Sequence, residues 1–183
     1  MSDGHGQTQV GVERDVAVGR LLRYGAGAAS LAAAAVHASA IAGHADVPLH
    51  LTAFVVMTLF QAWWSFLVLR SPTRKVLLAG VLGHGAIIVV WLLSRTVGFP
   101  GPGGLAVEPL GFKDGAATVL AVVTLGAIAA LLRPRASARL VRPSIARAVL
   151  GALMVFVLAL GVLGVSAIEH RHGEEGPHHE HHR

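Results

Sequence analysis

Five apolar stretches dominate this chain of 183 residues: roughly Leu21 to Gly43, Leu49 to Leu69, Val76 to Ser94, Gly115 to Leu132 and Ala148 to Ile168. Each is long enough to cross the hydrocarbon of a bilayer, for which about 20 residues suffice at the rise of an α-helix. Backbone N–H and C=O groups find no water in that medium, so each segment must satisfy them internally, as a helix does. The expected fold is all-α, a polytopic transmembrane helix bundle of five spans over residues 21–168. Residues 1–20 form a cytoplasmic N-terminal tail and residues 169–183 an exterior His/Glu-rich tail. With 54% of residues hydrophobic, no water-soluble domain of useful size remains.

The basic residues orient these spans. Arg14, Arg20 and Arg23 lie before or at the start of the first; Arg70, Arg74 and Lys75 lie between the second and third; Arg133, Arg135, Arg139, Arg142 and Arg147 lie between the fourth and fifth. Only Arg95, Lys113, Arg171 and Arg183 fall in the intervening segments, which also hold most of the acids: Asp46, Glu108, Asp114, Glu169, Glu174, Glu175 and Glu180. By the positive-inside rule the N-terminus is cytoplasmic and the C-terminus exterior. A signal peptide is the alternative reading of the first segment, with Ala38-Ser39-Ala40 as its cleavage site; the mature chain would then have four spans.

Composition excludes several classes. The net charge of +5 sits in short loops, where anionic lipid is the natural counter-charge, so nucleic acid is not an expected partner. With no cysteine, disulfides, thiolate metal sites and thiol catalysis are absent. No phosphate-cradling glycine loop, nucleophile triad or H-E-x-x-H helix occurs, so nothing points to an enzyme. The preference for arginine over lysine and the abundance of alanine suit the plasma membrane of a bacterium of high genomic GC content.

Within the spans, polar residues mark inward faces, since lipid accommodates them poorly. Arg23, Ser30, His37 and His44 recur every seven residues on one side of the first helix, and His50, Met57, Gln61 and Trp64 share one side of the second. Depth arithmetic at 1.5 Å per residue lets His37, Met57, Gln61 and His84 converge near mid-membrane. His84 stands among Gly80, Gly83 and Gly85, which would let another helix or a flat cofactor approach the imidazole. His37 and His84 are accordingly the candidate cofactor-binding residues, with two of His37, His44 and His84 from different helices as axial ligands of haem b. Against this stands the plainer possibility that each histidine only bonds to a serine, a carbonyl or another helix.

The exterior side carries the candidate metal ligands. His44, Asp46 and His50 surround the first outer loop, and His170, His172, His178, His179, His181 and His182 fill a tail that also has four glutamates. Neutral imidazoles and carboxylates suit a divalent transition metal such as Zn, Cu(II), Ni or Fe. The tail lacks the fixed spacing of a structural zinc site, which predicts an exchanging chelator. Arg95 requires a partner near the interface, for which Glu108 or Asp114 is available; the same acids could instead face His44 and His50.

The loop from Ser94 to Gly115 is rich in glycine and proline and longer than a turn requires. Its SRT-x-G-x-P start, its Glu108-Pro109-Leu110-Gly111 segment and the nearby Asp114 resemble a group of small uncharacterised multi-pass membrane proteins of actinobacterial type. The resemblance covers mainly Trp91 to Ala117 and implies a bacterial membrane address without any activity. Three expectations therefore stand together: exterior handling of a divalent metal, haem binding between helices, and a small accessory subunit packed against partner subunits of a larger membrane complex.

Overall fold

A computed structural model of the protein describes residues 4–44, 46–98 and 111–133, with isolated positions between 148 and 159; side chains are described from residue 16. These residues form four long helices: α1 (Gly4–Ile41), α2 (Pro48–Arg70), α3 (Arg74–Thr96) and α4 (Phe112–Leu132). A short 3-10 turn, Ala42–His44, follows α1. All four helices are long and apolar enough to cross a membrane, α1 through its segment Val16–Ile41. The fifth expected span, 148–168, and the tail at 169–183 lie outside the described residues but for a few isolated positions. One boundary differs from expectation, for α1 begins at Gly4 rather than near Leu21. The polar residues 4–20 contain no proline to stop a helix, and lack of hydrophobicity alone does not.

Helix ends follow local chemistry. Pro48 sits in the first turn of α2, where its missing N–H has no intrahelical role. Between α2 and α3 only Ser71, Pro72 and Thr73 intervene, and the Thr73 side chain accepts from the Val76 amide to cap α3. At the far end of α3, the amides of Val97 and Gly98 both bond the Leu93 carbonyl at 3.0 Å. Gly98 closes that cap with φ of 72°, a left-handed conformation that glycine adopts without strain.

The four helices form a ring in which α1 packs extensively against α2 and α4, α3 packs chiefly against α4, and the α2–α3 contact is the least extensive. Alanine explains the role of α1. Ala29, Ala32, Ala33 and Val36 bring it close to Ala117 and Leu120 of α4, while Ala26 meets Trp64, Val68, Leu77 and Ile128 in a second cluster drawn from all four helices. The Ser65 hydroxyl donates to the Gly27 carbonyl at 2.8 Å, tying α2 to the α1 backbone.

The polarity of the bundle is inverted relative to a water-soluble one. Ser30, His37, Gln61, Ser65, His84 and Thr124 are buried, whereas Leu59, Trp63, Phe66, Leu82 and Val119 are exposed. Outward leucine, valine and aromatic side chains are stable against lipid, and inward polar groups must bond one another. A multi-pass protein in a lipid bilayer follows.

Candidate functional site

Four of the buried polar residues, His84, Ser30, Gln61 and His37, form one connected chain between the helices. His84 is fully buried, and its Nδ1 donates to the Gly80 carbonyl at 2.9 Å. In the neutral ring Nε2 then carries the lone pair, and it lies 3.1 Å from Ser30 Oγ. The same hydroxyl is 2.9 Å from the Gln61 main-chain oxygen. One hydroxyl proton faces two acceptors. The Gln61 carbonyl already accepts within its own helix, so neutral His84 has the stronger need for that proton.

Glycines of α3 set the surroundings of His84. The rings of Trp64 and Phe60 stand edge-on to it at centroid distances of 4.9 and 5.4 Å. A Cβ at Gly80 would lie 2.5 Å from the Trp64 ring, and one at Gly83 would overlap Phe60. Nothing lies within 4 Å of a Cβ at Gly85. The close approach predicted for the glycines therefore occurs at Gly80 and Gly83, and aromatic rings of α2 use it.

His37 has a different setting. Its Nδ1 donates to the Gln61 side-chain oxygen at 2.8 Å, and its ring is tilted against Phe54 at 5.9 Å. Gln61 thus links the two histidines, through its side chain to His37 and through its main chain to the hydroxyl that meets His84. With Nδ1–H committed, neutral His37 keeps its lone pair on Nε2.

His37 also lines a cavity whose empty space, mouth included, amounts to ≈ 640 Å³. His50, Phe54 and Met57 of α2 form one wall; Ile87, Trp91, Ser94 and Arg95 of α3 form the other; Asp114, Ala117 and Thr118 of α4 close the back. The cavity occupies the half of the bundle away from the tight Ser71–Thr73 connection, where α2 and α3 are joined at one end only. Comparison with protein-family models, curated proteins and solved structures finds no match to this chain.

At the cavity rim, Arg95 and Asp114 form an ion pair at 2.6 Å, with side-chain exposures of 9% and 30%. Each occupies a favourable helix end: Arg95 the last turn of α3, where carbonyls point outward, and Asp114 the first turn of α4, where amides do. Of the two partners expected for Arg95, Asp114 fills the role; Glu108 lies outside the described residues.

The predicted ligands are thus sorted by position. His37 and His50 line one cavity, His50 half-buried and His37 almost fully buried. His84 belongs to the same hydrogen-bonded chain as His37 but does not line the cavity. Asp46 is exposed in the connection after α1, and His44 ends the 3-10 turn with its side chain outside the described residues. His170, His172, His178, His179, His181 and His182 also lie outside them, as do residues 99–110 of the loop that carries the family resemblance. Among the described residues, no three histidine, aspartate or glutamate side chains are grouped closely enough to hold a metal ion. Sequence reasoning missed Phe60 as a neighbour of His84, and the one available signal was its position a single residue before Gln61.

Proposed function

We propose that this is a bacterial plasma-membrane protein of five spans, N-terminus inside and C-terminus outside, that handles a divalent transition metal at its exterior face. The observation that carries the reading is the setting of His37. A metal-binding histidine characteristically donates its second ring N–H to a carbonyl or carboxylate, which fixes the tautomer and presents the other nitrogen to the ion. His37 has this arrangement through Gln61, and a second imidazole, His50, lines the same cavity. Two imidazoles bind Zn, Cu(II), Ni or Fe weakly by themselves, and in this reading the tail histidines collect the ions.

The haem b alternative needs His84 as an axial ligand. That imidazole would have to surrender its contacts with Ser30 and Gly80 and displace two packed rings. The cavity reading requires no such rearrangement. The third expectation, an accessory subunit, has no observation that favours it over lipid on the outward apolar faces.

Zn(II) titration of the purified full chain tests the proposal. His37→Leu and His50→Leu should each weaken the tightest site by about tenfold or more, the usual effect of losing a ligand or its orienting partner. Deleting Gly173 to Arg183 should remove most weak equivalents while leaving helix content unchanged, because the segment has almost no apolar residues to bury. Unchanged binding in both histidine variants would refute the cavity as a metal site.

Sidedness is checked separately. Because the native chain has no cysteine, Arg135→Cys and His178→Cys can be probed in intact cells with a membrane-impermeant thiol reagent. Labelling is expected at position 178 and absent at 135. The reverse pattern would invert the proposed topology.

A further inference from the structure

We propose that the cavity binds a neutral quinol drawn from the bilayer, with His37 Nε2 accepting a hydrogen bond from the quinol hydroxyl. The inference goes beyond the metal reading and asks of the site a single acceptor atom, with no gathering of donors. His37 Nδ1 is held by Gln61, which does not line the cavity, and Nε2 makes no hydrogen bond among the described residues. A neutral imidazole held in this way offers a lone pair, which pairs with a hydroxyl and not with a carbonyl oxygen. On the α3 wall, the buried indole N–H of Trp91 has no hydrogen-bond partner among the described residues. Orphaned donors of this kind are uncommon in protein interiors. A second ligand oxygen satisfies this one once the half-buried ring turns toward the cavity.

The rest of the lining selects for the same class. Phe54, Met57, Ile87, Ile88 and Val90 make the walls apolar, and an aromatic ring and a thioether pack well on a flat ring. The empty space of ≈ 640 Å³, mouth included, falls within the range of about 300–1,000 Å³ common to small-molecule sites. Charge is already balanced, because Arg95 and Asp114 neutralise one another at the rim. An anionic headgroup would have to break that pair, whereas a neutral ligand leaves it intact. Access comes from the hydrocarbon: α2 and α3 touch sparingly, are joined only at the Ser71–Thr73 end, and expose Val56 and Val89 beside the cavity walls. A quinol is neutral, flat, lipid-soluble and a hydroxyl donor, and so meets each of these requirements. Nε2 is also the atom on which the metal reading depends, so ion and quinol exclude one another there.

Calorimetric titration of the full chain in lipid nanodiscs, with EDTA present and empty discs subtracted, tests this. The probes are 2-decylhydroquinone, its oxidised quinone and its dimethyl ether. The hydroquinone is expected to bind saturably, and the other two about tenfold more weakly, the upper range for one hydrogen bond. His37→Leu should bind all three alike at the weak level. Ala53→Phe, which fills space at the α2 wall, should bind none of them. Equal affinities of the unsubstituted chain for the hydroquinone and the dimethyl ether would overturn the proposal, leaving an apolar cavity that takes any lipid-soluble ring. Tighter binding of the quinone, which requires the opposite tautomer of His37, would do the same. So would unchanged binding by Ala53→Phe, or no saturable binding at all, as when an acyl chain fills the space. Helix content by circular dichroism confirms that each variant compared is folded, and the comparison of probes on the unsubstituted chain needs no variant. Because EDTA removes metal from every titration, failure here leaves the Zn(II) test standing.

Discussion

Gly80→Val should insert into the membrane yet unfold at a markedly lower temperature in detergent. A Cβ at this position meets the Trp64 ring at 2.5 Å, and that ring is fully buried with its indole N–H donating to the Val76 carbonyl at 2.8 Å. It cannot swing aside without losing the bond and its packing, so α3 must move away from α2. Overpacking of this kind costs about 1–3 kcal/mol, and the upper end is expected where the obstructed group is anchored. Gly83→Val overlaps Phe60, a half-buried ring with more freedom to turn, and should cost less. Gly85→Val faces open space and should stay within about 0.5 kcal/mol of wild type. Thermal unfolding followed by circular dichroism ranks the three; equal midpoints for Gly80→Val and Gly85→Val would show that the α2–α3 contact is not set by this glycine.

Trp64→Ala should be more damaging still. The side chain joins Ala26, Val68, Leu77 and Ile128 in the cluster that draws on all four helices, and it also flanks His84. Truncating a buried aromatic ring to alanine costs about 3–5 kcal/mol, most of it lost packing that lipid does not replace in the bundle interior. Trp64→Phe retains much of the ring volume but leaves the Val76 carbonyl without its indole donor, so a smaller loss is expected. The adjacent Trp63, stacked on Phe66 at the bundle surface, provides the contrast. Trp63→Ala should shift stability by under about 1 kcal/mol, because its ring leaves no cavity behind. Denaturant titration in mixed micelles measures both.

Much of this arrangement was legible in the sequence because polar residues in an apolar helix carry directional information. The stripe of Ser30 and His37 on α1 does face inward, and Gln61 and Trp64 on α2 are buried as their shared side requires. The need of Arg95 for an acidic partner also followed from its position, although two acids were equally available by spacing. What periodicity does not reveal is which inward group meets which. It places His37 and His84 at comparable depth, but the intervening role of Gln61 and Ser30 depends on helix rotation and on the order of helices around the ring. The glycines near His84 likewise announced a close approach without saying that Trp64 and Phe60 would make it.

The central position of α1 has a consequence for biogenesis. It is the least apolar of the four candidate spans and the most enclosed, so its partition into lipid alone is the weakest. Among the described residues, its buried hydroxyl meets Gln61 of α2 and His84 of α3 and its imidazole bonds Gln61, and these partners leave the ribosome later. Until residue 61 has emerged, the first helix exposes Ser30 and His37 with nothing to receive them, and the contact of Ser30 with His84 waits longer still. Its buried polar groups are thus satisfied by the assembled hairpin behind it, and its residence in the bilayer is strengthened when that hairpin packs against it.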